Sequence, residues 1–260
     1  MLYLMTKLPN KKLLGNSDPH PVEIVNANSQ CQVLLLCEHA GRAVPAKLGT
    51  LCMATDVLDS HRGWDIGAEN VARGVADALG APLVIQRYSR LVIDANRPPD
   101  GALAIPVESD GVRISGNVDL TPEERQARVD EVFRPMDAAI AGLFAAKPRS
   151  ACFSIHSYTP VLGTQSRPWH AGFLSRADLQ SANALLEFIR ARRADLTLAV
   201  NEPYQIEDDT DWFIPRHAEP RGLIHALVEI RNDLITEPAG AADWAALVAG
   251  AIDQLMEDRA

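Results

Sequence analysis

The sequence predicts one α/β domain built on a mainly parallel sheet with helices on both faces. Short, uninterrupted apolar runs alternate along the chain with longer stretches whose apolar residues return every three or four positions. That is the pattern of strands covered on both faces and joined by crossover helices. The 260 residues, 47% of them hydrophobic, suffice for one large core. No internal repeat or low-complexity tract interrupts them.

Residues 1–30 read as a polar lead-in, turn-rich from Gly15 to Gln30, and residues 31–260 as the single domain. Gln32 to Cys37 (QVLLLC) is a strand-length apolar run that ends at Glu38-His39. From Trp64 onward, Ile66, Val71, Val75 and Leu79 return at helical spacing, and Gly80 closes the segment as a C-terminal glycine does. Pro82–Ile85 and Arg90–Ile93 read as two strands, the second delivering Asp94, Asn96 and Arg97. Thr121-Pro122-Glu123-Glu124 is a capping box with proline at the first helical position, so a helix is expected from there towards Phe144. Ala151–Ile155 is a further strand ending in His156, and Asp178–Arg193 an amphipathic helix. Thr197–Val200 and Leu223–Ile230 read as later strands and Ala241–Met256 as a closing helix.

Composition excludes some functions. With 25 Lys+Arg against 34 Asp+Glu, the formal charge of −9 has the wrong sign for a phosphate-neutralising surface, so nucleic acid is not an expected partner. Cys31, Cys37, Cys52 and Cys152 form no CxxC pair and suit a reducing compartment, mostly as buried thiols. The opening MLYLMTKLPNKK has no signal-peptide core, and nothing later resembles a membrane span. A cytoplasmic protein without membrane contact is expected, with a homo-oligomer left open.

In such sheets ligands bind outside the carboxyl ends of the strands, where this chain places ionisable residues. His39 and His156 each follow an apolar run directly. Two neutral imidazoles and a carboxylate form a catalytic zinc site with its fourth position left for water, whereas either histidine alone reads equally well as an ordinary hydrogen-bonding residue. His61 and Asp65 stand four apart at the start of a helix; Asp65 is the preferred third ligand, His61 the substitute, and capping of the helix N-terminus the competing role for Asp65. Arg90, Asn96 and Arg97 cluster in YSRLVIDANRPP, where a guanidinium fork and an amide match a substrate carboxylate, against the plainer reading of arginines paired with Asp94. Glu229, between Val228 and Ile230, faces away from its apolar neighbours and suits a general base, or a salt bridge to Arg231 or Arg221. Arg167 lies in RPWH, a candidate substrate-side loop close after His156. The charge run Glu207 to Asp211 reads as a solvated loop or a gate to the cleft. No GxSxG elbow supports a serine nucleophile, and Cys37 reads as buried and inert.

Taken in order, CEHAGRAVP, HRGWDIGA, YSRLVIDANRPP, FSIHSYTPVL, RPWHAG, NEPY and VEIRNDLI resemble the N-formylglutamate amidohydrolase family from about Leu35 to Leu234. The resemblance implies a mixed sheet between helices, similar to zinc carboxypeptidases and aspartoacylase-type deacylases. It also implies one zinc per chain on His39 and His156, a base at Glu229, an oxyanion-stabilising arginine at Arg90, and substrate carboxylate binding by Asn96 and Arg97. The carboxypeptidase HxxE pattern is broken by Arg42, so the third ligand must come from Asp65 or His61. The implied reaction is metal-dependent hydrolysis of an N-acylated amino acid, with N-formyl-L-glutamate the leading substrate. Another deacylase or small peptidase of the same fold, or a carboxylate-binding module without metal, are the alternatives.

Overall fold

The computed structural model describes residues 12–259; of the opening segment MLYLMTKLPNKK, residues 1–11 lie outside the described residues. The first element is unexpected. Val22–Val25, within the supposed lead-in, form strand β1 and pair antiparallel with β3 (Leu83–Gln86) at the edge of the main sheet. Between them come β2 (Val33–Cys37) and helix α1 (Ala68–Leu79), which starts later than the expected Trp64 and leaves Ile66 outside, but ends at left-handed Gly80 as expected. Helix α2 (Pro122–Arg128) opens with the expected capping box: Glu124 N–H donates to Thr121 Oγ1 at 3.2 Å and Thr121 N–H to Glu124 Oε2 at 2.9 Å. A π-helical turn at Val129–Phe133 leads into α3 (Arg134–Ala146), so the long expected helix is broken once. Strand β4 (Ala151–Tyr158), strand β5 (Ala171–Leu174), helix α4 (Leu179–Arg192), strands β6 (Leu198–Val200) and β7 (Ile224–Arg231), and helix α5 (Pro238–Asp258) complete the main sheet and its long helices.

The seven strands of the main sheet lie in the order β1-β3-β2-β4-β7-β5-β6. β1 against β3 and β5 against β7 run antiparallel and the other neighbours parallel, so the sheet is mixed and mainly parallel. Alternation along the strands sorts the core into layers. Leu35, Phe153 and Val228 face α1, α4 and α5, whereas Leu34, Leu36, Cys152 and Leu227 face α3 on the other side. A third cluster, including Leu51, Tyr88, Leu91 and Phe133, packs beside the sheet.

Two expectations are corrected. Arg90–Ile93 is not a strand: Leu91, Val92 and Ile93 are buried in the third cluster on turn-like backbone, so apolar character here reflects packing rather than sheet pairing. Strand β5 was not foreseen, because it is short and follows directly on the polar RPWH. Its Gly172 is required by close approach, since a Cβ there would overlap the carbonyl of Glu202. Among the cysteines, Cys37 and Cys152 are buried but Cys31 is half-buried and Cys52 exposed. Burial pushes the Cys37 thiol well above its ordinary value, which suits an inert residue. Among the described residues no helix is long and apolar enough to cross a membrane.

One polar cluster stabilises the α3 face. Asp137 accepts from His217 Nε2 at 2.6 Å and from Trp212 Nε1 at 2.9 Å, and these bonds hold its carboxyl below the usual range. A depressed carboxylate contributes stability above its unfolded value and loses it as pH falls through its folded one. Asp137→Asn is therefore expected to lower unfolding stability at pH 7 by about 1 kcal/mol. In urea titrations from pH 7 to pH 3 the gap from the wild type should close as pH falls; a gap independent of pH would contradict the assignment.

Candidate active site

Strands β2 and β4 run parallel and adjacent, so their carboxyl ends carry His39 and His156 to one place. The two rings meet edge to face with centroids 4.6 Å apart. Asp65, from the turn before α1, completes the group: its Oδ2 lies 3.0 Å from His156 Nδ1 and 3.5 Å from His39 Nδ1. The ligand-type atoms of these three buried residues all lie within 4.8 Å of one another. His61, the expected substitute ligand, is elsewhere, with Nε2 3.1 Å from Asp110 Oδ2.

The outward nitrogens of both imidazoles are fixed by residues that the sequence reading did not assign to this task. His39 Nε2 is 2.7 Å from Asp94 Oδ1, and His156 Nε2 is 3.1 Å from Glu38 Oε2 and 2.8 Å from Ser154 Oγ. A carboxylate on the far nitrogen orients a metal-binding imidazole and raises its basicity. Glu38 could have been found from the sequence by its position beside His39, and Ser154 by its i−2 relation to His156 on one strand face.

The electrostatics favour a positive charge inside this group. Burial opposes ionisation of Asp65, but His39 and His156 overcome it and hold the carboxyl well below its ordinary range. Asp94 is likewise depressed against burial, by Arg90 and His39. His156 is raised well above its usual value despite burial, by Glu38 and Asp65. His39 Nδ1 is buried without a hydrogen-bond partner. Two imidazole nitrogens and a carboxylate that converge while their outer atoms are anchored fit a divalent cation such as zinc.

Glu229 stands beside this cluster. It is the register partner of His156 across the parallel β4–β7 pair, and Val228 and Ile230 point to the other face as expected. Its Oε2 is buried and unpartnered, and burial pushes its carboxyl up to about 7. All four residues line one cavity of about 560 Å³.

The arginines differ in how they are used. Arg90 is locked onto Asp94, with Nε and Nη2 at 3.0 and 2.6 Å from Oδ2, and reaches Asp65 Oδ1 at 3.4 Å. Among the described residues Arg97 has only Asp94, 3.9 Å away, as an ionic neighbour. Arg167 is 6% exposed and lies between the rings of Tyr158 and Tyr204, donating to the hydroxyls of Tyr204 and Thr159, with its Nε unpartnered and, among the described residues, no carboxylate within ion-pair distance. Asn96, expected to share a carboxylate clamp with Arg97, has its amide engaged elsewhere. Its Oδ1 accepts from Trp212 and Phe213 N–H, and its Nδ2 donates to Asp211, each at 3.1 Å. It braces the 207–213 loop, whose Asp211 is buried rather than part of a solvated charge run.

Converging imidazoles and a carboxylate at the carboxyl edge of a mixed α/β sheet, with a buried and unpartnered carboxylate on the next strand, suit a hydrolase as the class. Within that class, the chain belongs to the N-formylglutamate amidohydrolase family, whose model matches residues 31–236. A solved gene product of Agrobacterium tumefaciens is 37% identical, with a TM-score of 0.90 over 95% of this chain and 99% of that one. An N-formylglutamate amidohydrolase from Ralstonia eutropha shares the fold at 22% identity, with a TM-score of 0.66 over 92% of this chain and 98% of that one. No curated protein matches the chain.

Proposed function

We propose that the protein hydrolyses the amide bond of an N-acylated acidic amino acid, N-formyl-L-glutamate and water giving formate and L-glutamate, with one zinc ion held by His39, Asp65 and His156. The observation that supports this best is a pair of orphaned buried atoms: His39 Nδ1, in the metal-type cluster, and Glu229 Oε2 both belong to residues lining the same cavity. Each polar atom left without a partner in a low-dielectric site costs free energy, and a bound cation and a water satisfy both.

Zinc in that cluster would polarise the scissile carbonyl and increase the acidity of a water. Glu229 takes a proton at Oε2 from the water that attacks the carbonyl carbon, and delivers it to the departing amide nitrogen. Arg90, held rigid by Asp94, turns its guanidinium edge to the carbonyl oxygen as negative charge grows there. Arg97, whose contact with Asp94 is 3.9 Å long, and Arg167, whose Nε is unpartnered, keep hydrogen-bonding capacity in the cleft for the two carboxylates of a glutamate leaving group. Asn96 acts indirectly, by bracing the loop beside them.

The test is release of formate from N-formyl-L-glutamate by protein carrying about one equivalent of zinc, with none released after chelation. Zinc-replete protein inert on this compound and on other N-acyl amino acids would refute the reading. Arg167→Met is expected to raise KM about 10- to 100-fold with a much smaller change in kcat, because it removes binding shared by ground and transition states. A fall in kcat at constant KM would remove Arg167 from substrate binding.

A further inference from the structure

Two parts of the proposed chemistry come from different parts of the fold. His39 follows strand β2, whereas Arg90 and Asp94 flank the buried turn Leu91–Ile93 in the third cluster. One side chain joins them. Asp94 is 4% exposed, and its backbone N–H donates to the carbonyl of Ala104 at 2.7 Å. Its Oδ1 lies 2.7 Å from His39 Nε2 and accepts from Asn96 N–H at 3.0 Å. Its Oδ2 accepts from Arg90 Nε and Nη2 at 3.0 and 2.6 Å. One oxygen thus serves the metal-type cluster and the other the arginine.

This division belongs to one histidine. The outer nitrogen of His156 is held by Glu38 and Ser154, and among the described residues neither of these has an arginine as partner. Arg90 has one further acidic contact, Asp65 Oδ1 at 3.4 Å, the longest of its three. Because both oxygens of Asp94 are committed, the carboxylate cannot turn towards one partner without drawing away from the other. A shift of the His39 ring is therefore passed to the guanidinium, and a shift of the guanidinium to the ring.

We infer that Asp94 is the positioning residue that sets His39 and Arg90 as one unit, so that a single carboxylate governs both zinc affinity and oxyanion stabilisation. The inference rests on the hydrolase reading above, which gives Arg90 its task. The need for a carboxylate follows from counting donors and acceptors. A carboxylate only accepts, so His39 carries its proton on Nε2, and both partners of Asp94 are donors. Asparagine has the same shape but only one acceptor atom. With its oxygen on His39 it turns an N–H onto the guanidinium; with its oxygen on Arg90 it turns an N–H onto the imidazole N–H. Either way one pair faces donor to donor in a buried place.

The test compares Asp94→Asn, Arg90→Met and the double variant. Zinc dissociation constants are read by competition with a chromogenic chelator, and kcat on N-formyl-L-glutamate at saturating zinc. Asp94→Asn should weaken zinc binding about 10- to 100-fold. Once saturated, it should still turn over about 100-fold more slowly, as Arg90→Met does. The double variant should be no slower than Arg90→Met alone, because the two changes remove one interaction. Unchanged zinc affinity, a kcat restored by saturating zinc, or losses in kcat that multiply would each overturn the inference. A second measurement leaves Asp94 in place and decides the matter if Asp94→Asn does not fold. The His39 Nε2 proton is followed by NMR in zinc-loaded protein. Arg90→Lys, which keeps the charge but replaces the fork by a single point, should move that resonance; an unmoved resonance overturns the coupling. A wild type that binds zinc but hydrolyses neither N-formyl-L-glutamate nor another N-acyl amino acid overturns the hydrolase reading and with it the task of Arg90. The zinc constants and the resonance then still decide whether Asp94 joins the two residues.

Discussion

Glu229→Gln is expected to reduce turnover of N-formyl-L-glutamate by about 10²- to 10⁴-fold while leaving the zinc content unchanged. The substitution preserves the size and planar shape of the side chain but removes its capacity to accept and return a proton. Glu229 is not one of the three converging ligand residues, so the cluster keeps its donors. Its Oε2 has no protein partner, so no internal ion pair is broken. The loss should therefore appear in kcat, with unfolding midpoint and metal content close to wild type. Near-normal turnover in a folded, zinc-loaded variant would assign the proton transfer to another group.

His156→Ala should abolish zinc binding, taking a preparation from about one metal per chain to well below a tenth, and activity with it. The remaining nitrogen and carboxylate are too few for a closed structural or an open catalytic site. Ser154→Ala and Glu38→Gln remove only what orients the ring, and are expected to weaken zinc binding about 10- to 100-fold without abolishing it. Elemental analysis after dialysis against graded zinc buffers separates the two effects. Stoichiometric zinc in His156→Ala would show that the ion sits elsewhere.

Much of this site was legible in the sequence because strand ends announce themselves. QVLLLC before Glu38-His39 and ACFSI before His156 are continuous apolar runs, and in a parallel sheet two such runs must bring their next residues to the same edge. The same logic failed at Arg90–Ile93, where a continuous apolar run packs against the third cluster without a partner strand. Periodicity reports burial, and burial does not distinguish sheet from a packed turn. β1 and β5 were missed for the converse reason: one is an edge strand and the other is four residues long, so neither carries a run that exceeds its surroundings. The bracing role of Asn96 was not foreseen because a side-chain amide advertises hydrogen bonding but not its partner. Only the fold shows that Trp212 and Phe213, more than a hundred positions away, take it first.

The loop bearing Arg90, Asp94 and Arg97 is held from outside the sheet. Arg128, at 1% exposure on α2, donates to the carbonyl of Val92 at 2.9 Å and to Asn117 Oδ1 at 2.6 Å, and Asn117 Nδ2 donates to the carbonyls of Leu91 and Pro106 at 2.8 and 2.7 Å. Burial pulls its guanidinium down to about 10, yet it remains charged at neutral pH. The molecule thus has two separate foundations: the histidines and Glu229 rest on central strands, whereas the arginine wall rests on a bracket anchored at Arg128. Changes in residues 98–121 can tilt that wall while the strands beneath the histidines stay in register. Substitutions in that bracket are expected to shift substrate preference while the residues proposed for the hydrolytic chemistry on the central strands keep their places.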